Sequence, residues 1–344
     1  MQKNRPRRLR LNAMLRDLVE ENRVTANDLI YPLFIKEGET TKEAIKSMPG
    51  IYRWGLESIL TEIQSATELG IKAIALFPVI DQSLKTESAQ EAINPNGLTQ
   101  RAIKTIKTKF PDLLVISDIA LDPYTNHGHD GLIQNGKVIN DATVKQLAAM
   151  AVVQAEAGAD IVAPSDMMDG RVGAIRHALD EAGFQDTLIM SYTAKYASCL
   201  YSPFRDALGS LGSQDQVQHQ GPQDKKTYQM NPANSLEAIK ELELDIMEGA
   251  DIVMVKPASW YLDIVKNFKE QSHVPVAAYQ VSGEYAMIHA AATAGYIDLD
   301  QAMKESLTSI KRAGADLILT YFAKDFLTRQ TRLKTINHSH SRKI

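Results

Sequence analysis

The stretch Asp251-Ile-Val-Met-Val-Lys256-Pro-Ala258 sets four apolar residues in a row and closes them with a lysine. A short, stiff apolar run of this kind is a strand covered on both faces. Period-two alternation puts Ile252, Met254 and Lys256 on one face and Val253 and Val255 on the other. Pro257 stops the strand, so the lysine belongs at its C-terminal rim. A lone strand lysine more often snorkels to water. One held in an apolar surrounding loses proton affinity, and its amine becomes a nucleophile.

Outward from this stretch the same grammar repeats. Strand-like runs cover 29–35, 73–79, 113–118, 161–164, 187–192, 252–256, 275–279 and 317–321, with helical patterns between most of them, such as 56–69, 144–157, 235–247 and 299–312. Alternating strands and helices predict a parallel sheet with right-handed crossovers. One junction recurs: Gly158-Ala-Asp160 before Ile161, Gly249-Ala-Asp251 before Ile252, and Gly314-Ala-Asp316 before Leu317, with Gly70-Ile-Lys72 before Ala73 as a fainter copy. A left-handed glycine ends each helix and the next strand starts two residues later. Eight strands sharing one turn predict a closed (β/α)8 TIM barrel over 28–330 rather than a doubly wound sheet. Before it, residues 1–27 carry Arg5, Arg7, Arg8 and Arg10 and an amphipathic piece around 11–18, an N-terminal arm for contact with a neighbouring subunit. The Gly-, Ser- and Gln-rich connection within 199–234 is too long for an ordinary loop and predicts a lid on the active face. The stretch 331–344 reads as a disordered tail.

Composition bounds the function. The chain has 344 residues, 44% hydrophobic and 23% charged, with net charge −4. This offers no overall attraction to nucleic acid or to anionic membranes. No stretch approaches the apolar length of a membrane span, and the N-terminus lacks a signal-peptide core. A single cysteine, Cys199, rules out an intrachain disulfide and fits a reducing, cytoplasmic setting.

Polar residues gather at the expected strand ends: Asp118, Ser165-Asp166, Ser191-Tyr-Thr-Ala-Lys195, Lys256, Ser282-Gly-Glu284 and Tyr321. Six such ends at one rim make a site. Lys195 and Lys256 would repel, which favours a neutral amine and carbonyl chemistry through Schiff bases. Either could instead bind phosphate or carboxylate as a point charge. After the third strand, Asp122, His127, His129 and Asp130 fall within nine residues, like a metal loop. Carboxylates suit Mg²⁺ and one cysteine cannot build a thiolate zinc site; the two histidines either ligate or order the loop.

Several long motifs, in this order, resemble the porphobilinogen synthase (5-aminolevulinate dehydratase) family, from about residue 5 to about 328: Asp118-Ile-Ala-Leu-Asp-Pro-Tyr-Thr-Asn-His-Gly-His-Asp-Gly131, Ser165-Asp-Met-Met-Asp-Gly-Arg171, Ser191-Tyr-Thr-Ala-Lys-Tyr-Ala-Ser198, Pro203-Phe-Arg205, Tyr228-Gln-Met-Asn-Pro232, Met254-Val-Lys-Pro-Ala258 and Gln280-Val-Ser-Gly-Glu-Tyr-Ala-Met287. The resemblance implies a hydro-lyase that joins two 5-aminolevulinate molecules into porphobilinogen with loss of two waters, early in tetrapyrrole and heme synthesis. It also implies a homo-octamer. By motif, Lys256 and Lys195 would each hold one substrate as a Schiff base. Ser282 and Tyr321 would bind the carboxylate of the Lys256-bound molecule; Arg205, Lys225 and Gln229 would clamp the other. Asp118 and Ser165 would orient an amino group or move protons. Zinc-using members carry three cysteines where this chain has Ala120, Asp122 and Asp130, so the sequence resembles the zinc-independent group, with allosteric Mg²⁺ at Glu241 and no catalytic zinc. The stretch 209–224 is longer than usual, around 214–220. The nearest rivals are a class I Schiff-base aldolase, which needs no second lysine, and a non-catalytic metabolite-binding relative.

Overall fold

The computed structural model describes residues 4–209 and 221–331. Among them, the strands β1 (Leu29–Lys36), β2 (Ala73–Val79), β3 (Leu114–Ile119), β4 (Ile161–Pro164), β5 (Leu188–Lys195), β6 (Ile252–Lys256), β7 (Val276–Gln280) and β8 (Leu317–Thr320) pair in chain order, every pair parallel. β8 returns to β1 through Leu29↔Ile318 and Ile30↔Leu319, which closes the sheet into the expected eight-stranded barrel. A hairpin of Lys42–Ala44 and Tyr52–Trp54 is added to the rim of β1. Strand β5 extends to Lys195, three residues beyond the pattern read from the sequence, because Thr193 and Ala194 are buried as completely as the apolar run before them.

Helices α1 (Ala13–Leu18), α2 (Ser58–Glu68), α3 (Leu98–Lys109), α4 (Asn140–Glu156), α5 (Arg171–Glu181), α6 (Ser202–Ala207), α7 (Leu236–Met247), α8 (Leu262–Gln271), α9 (Ser282–Thr293) and α10 (Leu299–Ala313) follow in chain order. Most of the helices between strands bury one stripe, whereas α9 buries only its first turn, Ser282 to Tyr285. In α4 the stripe is Thr143, Leu147, Met150, Ala151, Gln154 and Ala155, the spacing of a single helical face. The core fills the barrel with side chains, among them Phe34, Phe77, Tyr279 and Tyr321, whose rings touch across β1, β2, β7 and β8 at centroid distances of 5.9–6.2 Å.

The repeated Gly-Ala-Asp junction has a full physical account. Gly158, Gly249 and Gly314 have φ of 104°, 103° and 121°, a conformation that only glycine adopts cheaply. The aspartate then ties the incoming strand to the one before it. Asp251 donates its N–H to the Ile189 carbonyl (3.0 Å) and its carboxylate accepts the Ile189 N–H (2.8 Å). Asp160 does the same with Val115, and Asp316 with Val276. Each pair satisfies the first backbone groups of a barrel strand.

The arm leaves Leu9, Leu11, Met14 and Leu18 exposed, from 54% to 79% of their surface, so it finds no cover on its own barrel. Of the expected tail, only Thr331 is described, at the end of a helix from 323; the rest lies outside the described residues. So do 210–220, and with them the lengthened part of the expected lid.

Candidate active site

Lys256 and Lys195 end adjacent strands and are direct partners in register. Both are buried, at 7% and 6% exposure. They share the wall of a cavity of about 550 Å³ at the C-terminal rim with Asp122, Arg205, Lys225, Gln229, Ser282 and Tyr321. A small recess of about 20 Å³ adjoins it, lined by Asp118, Ser165, Asp122 and the same two lysines. The structure therefore brings together every expected catalytic and substrate-binding residue, with Asp122.

The two lysines are held differently. The Lys256 Nζ lies 4.7–5.3 Å from the ring centres of Tyr192, Tyr201, Phe204 and Tyr279. Among the described residues it makes no ion pair. Burial, reinforced by the charge of Lys195, lowers its pKa to about 7. Lys195 instead donates to Asp130 Oδ1 at 3.0 Å and to the Ser165 carbonyl. Burial also pushes Asp118 up to about 7, against the opposing pull of Lys256 and Lys195, and its Oδ1 has no hydrogen-bond partner. An amine and a carboxyl that both titrate near neutrality are suited to nucleophilic attack and proton transfer.

Asp130 is the hub of an ionic chain. Its Oδ2 lies 2.6 Å from Lys225 Nζ, which also reaches Asp122 Oδ2 at 3.3 Å. Burial opposes ionisation of Asp130, but Lys195 and Lys225 outweigh it and hold the carboxyl far below its usual range. Tyr228 donates a further hydrogen bond to Oδ2 at 2.9 Å, and its hydroxyl lies 3.0 Å from His129 Nδ1. His129 Nε2 meets the Pro222 carbonyl at 2.9 Å, so this histidine joins the loop after β3 to the segment that carries Lys225.

The residues expected to clamp substrate rest on rigid supports. Pro203 opens the short helix α6 that carries Arg205. Arg53 binds the carbonyls of Asp206 and Ala207 at its far end, and Ser47 binds the Asp206 carboxylate. Ser282 Oγ accepts the Phe204 N–H at 3.0 Å, and Tyr321 shares a 2.9 Å hydrogen bond with Tyr279. Tyr192, Phe204 and Tyr228 lie within motifs read from the sequence, but nothing there assigned a role to them, to Tyr201 or to Tyr279. Alternation cannot say which tyrosine faces inward when both faces of a strand are buried, and Tyr228 lies in an irregular segment.

The expected metal residues divide. Asp122 and Asp130 face ammonium groups, a poor fit to a divalent cation. Glu241, on α7, lines neither cavity; burial raises its carboxyl pKa, Arg171 opposes this, and Asp245, Asp169 and Glu237 add to it. Among the described residues no group of three or more His, Cys, Asp or Glu side chains is gathered as a metal cage.

Residues 3–329 match the family described as delta-aminolevulinic acid dehydratase. The chain belongs to that family. The dehydratase of Bradyrhizobium diazoefficiens is 54% identical over 319 residues, 93% of this chain and 88% of that protein. That of Chlamydia pneumoniae is 52% identical over 93% of this chain and 94% of its own. Among solved structures, the delta-aminolevulinic acid dehydratase (porphobilinogen synthase) of Toxoplasma gondii, in complex with the reaction product porphobilinogen, superposes with a TM-score of 0.90 at 50% identity, covering 95% of this chain and 91% of that one. This dehydratase chain thus matches its relatives over the barrel as a whole. No helix among its described residues is long and apolar enough to cross a membrane.

Proposed function

We propose that this delta-aminolevulinic acid dehydratase works through two Schiff bases, one on Lys256 and one on Lys195. The enzyme joins two 5-aminolevulinate molecules into porphobilinogen with loss of two waters. The observation that carries the two-lysine reading is their direct register in one cavity, with the pKa of Lys256 lowered to about 7. Each ketone loses its oxygen as water when an amine adds and an iminium forms. Loss of a proton from the carbon beside one iminium gives an enamine, which attacks the iminium carbon of the other molecule. The amino group of that molecule attacks the first iminium carbon, and loss of the remaining ring protons expels each lysine as an amine.

The remaining residues take roles set by their chemistry. Ser282 and Tyr321 bind the carboxylate of the Lys256-bound molecule, and Arg205, Lys225 and Gln229 clamp the other. Asp118 moves protons beside Lys256, with Ser165 at its side. The aromatic cage excludes water and faces an iminium cation with ring electrons. Asp122 and Asp130 hold Lys225 and Lys195 rather than a metal.

Glu241 is the residue that would hold Mg²⁺, as an allosteric ion. A half-buried carboxylate among acidic neighbours gains from a hard cation, and Mg²⁺ keeps most of its own waters, so one carboxylate suffices. The exposed arm leucines support an assembly in which the arm docks on a second copy, up to the octamer. The single cysteine supports a cytoplasmic setting. Assay of pyrrole formation from 5-aminolevulinate, with Mg²⁺ or zinc as the sole added metal, tests the reading. Mg²⁺-stimulated product without zinc is expected; activity that disappears with a stoichiometric zinc ion contradicts it. Cleavage of aldol substrates without pyrrole formation favours the aldolase.

A further inference from the structure

Tyr228 lies outside the cavity wall, yet its hydroxyl touches the carboxylate that holds Lys195. It donates to Asp130 Oδ2 at 2.9 Å and receives the Asp130 N–H at 3.4 Å. Its ring meets His129 edge-on, with centroids 6.0 Å apart. Asp130 is buried and its two oxygens do different work: Oδ1 faces Lys195, while Oδ2 faces Lys225 and Tyr228. A carboxylate free to turn would offer both oxygens to one ammonium, which draws the amine out of line with a bound ketone. Two donors on Oδ2 prevent that rotation.

We propose that Tyr228 is a positioning residue for the Lys195 half of the reaction: it fixes the plane of Asp130 and thereby aims Lys195 Nζ into the cavity. Its place in the chain adds a link to substrate. Lys225 accepts the Tyr228 and Gln229 backbone N–H groups on its carbonyl, at 3.2 and 2.8 Å, so the carboxylate clamp and the tyrosine move as one turn. A substrate carboxylate at Lys225 and Gln229 therefore sets the geometry of Lys195. This inference rests on the two-Schiff-base reading.

The test compares Tyr228→Phe, which keeps the ring, with Asp130→Asn and the double variant. Tyr228→Phe is expected to lower turnover roughly tenfold, the scale of one lost hydrogen bond to a charged group. Borohydride trapping with 5-aminolevulinate should slow by a similar factor at Lys195 and stay unchanged at Lys256. In the Asp130→Asn background the tyrosine substitution should change turnover less than about twofold, because both act through one group. Equal slowing of trapping at both lysines, or losses that multiply in the double variant, overturns the proposal. If wild type itself gives no adduct at Lys195, the two-Schiff-base reading fails, and the turnover cycle still decides whether Tyr228 acts through Asp130.

Discussion

A buried amine whose pKa is lowered to about 7 is useful only on one side of that value. Below it Lys256 is an ammonium with no lone pair, so single-turnover adduct formation at Lys256 should rise with pH through about 7 and then level off. A rate that falls across that range contradicts the assignment. The same shift acts on stability. The folded pKa lies below the unfolded one, so the unfolded chain binds the extra proton from about pH 7 to about 10, and stability contributed by this group rises with pH across that window. Below it the full cost remains, about 5 kcal/mol as an upper figure. Lys256→Met should therefore raise Tm by several degrees at pH 7 while abolishing turnover, and lose that advantage near pH 10. A Met variant less stable than wild type at pH 7 speaks against a strained lysine. This residue was legible from its place at the end of an apolar run; its aromatic cage was not. Tyr192, Tyr201, Phe204 and Tyr279 come from three separate segments, and only the fold brings them to one nitrogen.

At the scale of elements, the Gly-Ala-Asp repeat was legible as a helix-to-strand turn, and it is one. What the sequence could not display is why aspartate follows, since the partner of Asp251 lies on the preceding strand, 62 residues away. Asp251→Ala should leave the Ile189 N–H without its acceptor and cost about 1–2 kcal/mol, read as a shift in urea midpoint with unchanged slope. Asp251→Asn keeps an acceptor oxygen and should recover most of the loss. If both variants lose equally, the carboxylate's hydrogen bond is not what matters there. Strand boundaries differ from the pattern for a similar reason: Thr193 and Ala194 break the apolar signal, but the barrel buries them.

At the scale of the whole molecule, the exposed leucines of the arm call for a partner surface. Deleting residues 1–20 should give smaller particles with lower activity at equal concentration, and Glu241→Ala should weaken the response of particle size to Mg²⁺. Sedimentation decides both: a truncated enzyme that stays fully assembled and fully active leaves the arm without that role. The arm's isolation could be read from its polarity, but under the proposed assembly the surface it would cover belongs to another copy of the chain, which a single sequence does not describe.

Under the proposed mechanism, two neighbouring lysines carry the two substrates. Borohydride reduction of the assembled enzyme with 5-aminolevulinate, followed by peptide mapping, tests it most directly. An adduct is expected on Lys256 at limiting substrate and a second on Lys195 as substrate saturates, each lost from the corresponding alanine variant. An adduct mapped to any other lysine, or a Lys256→Ala enzyme that still turns over, contradicts it.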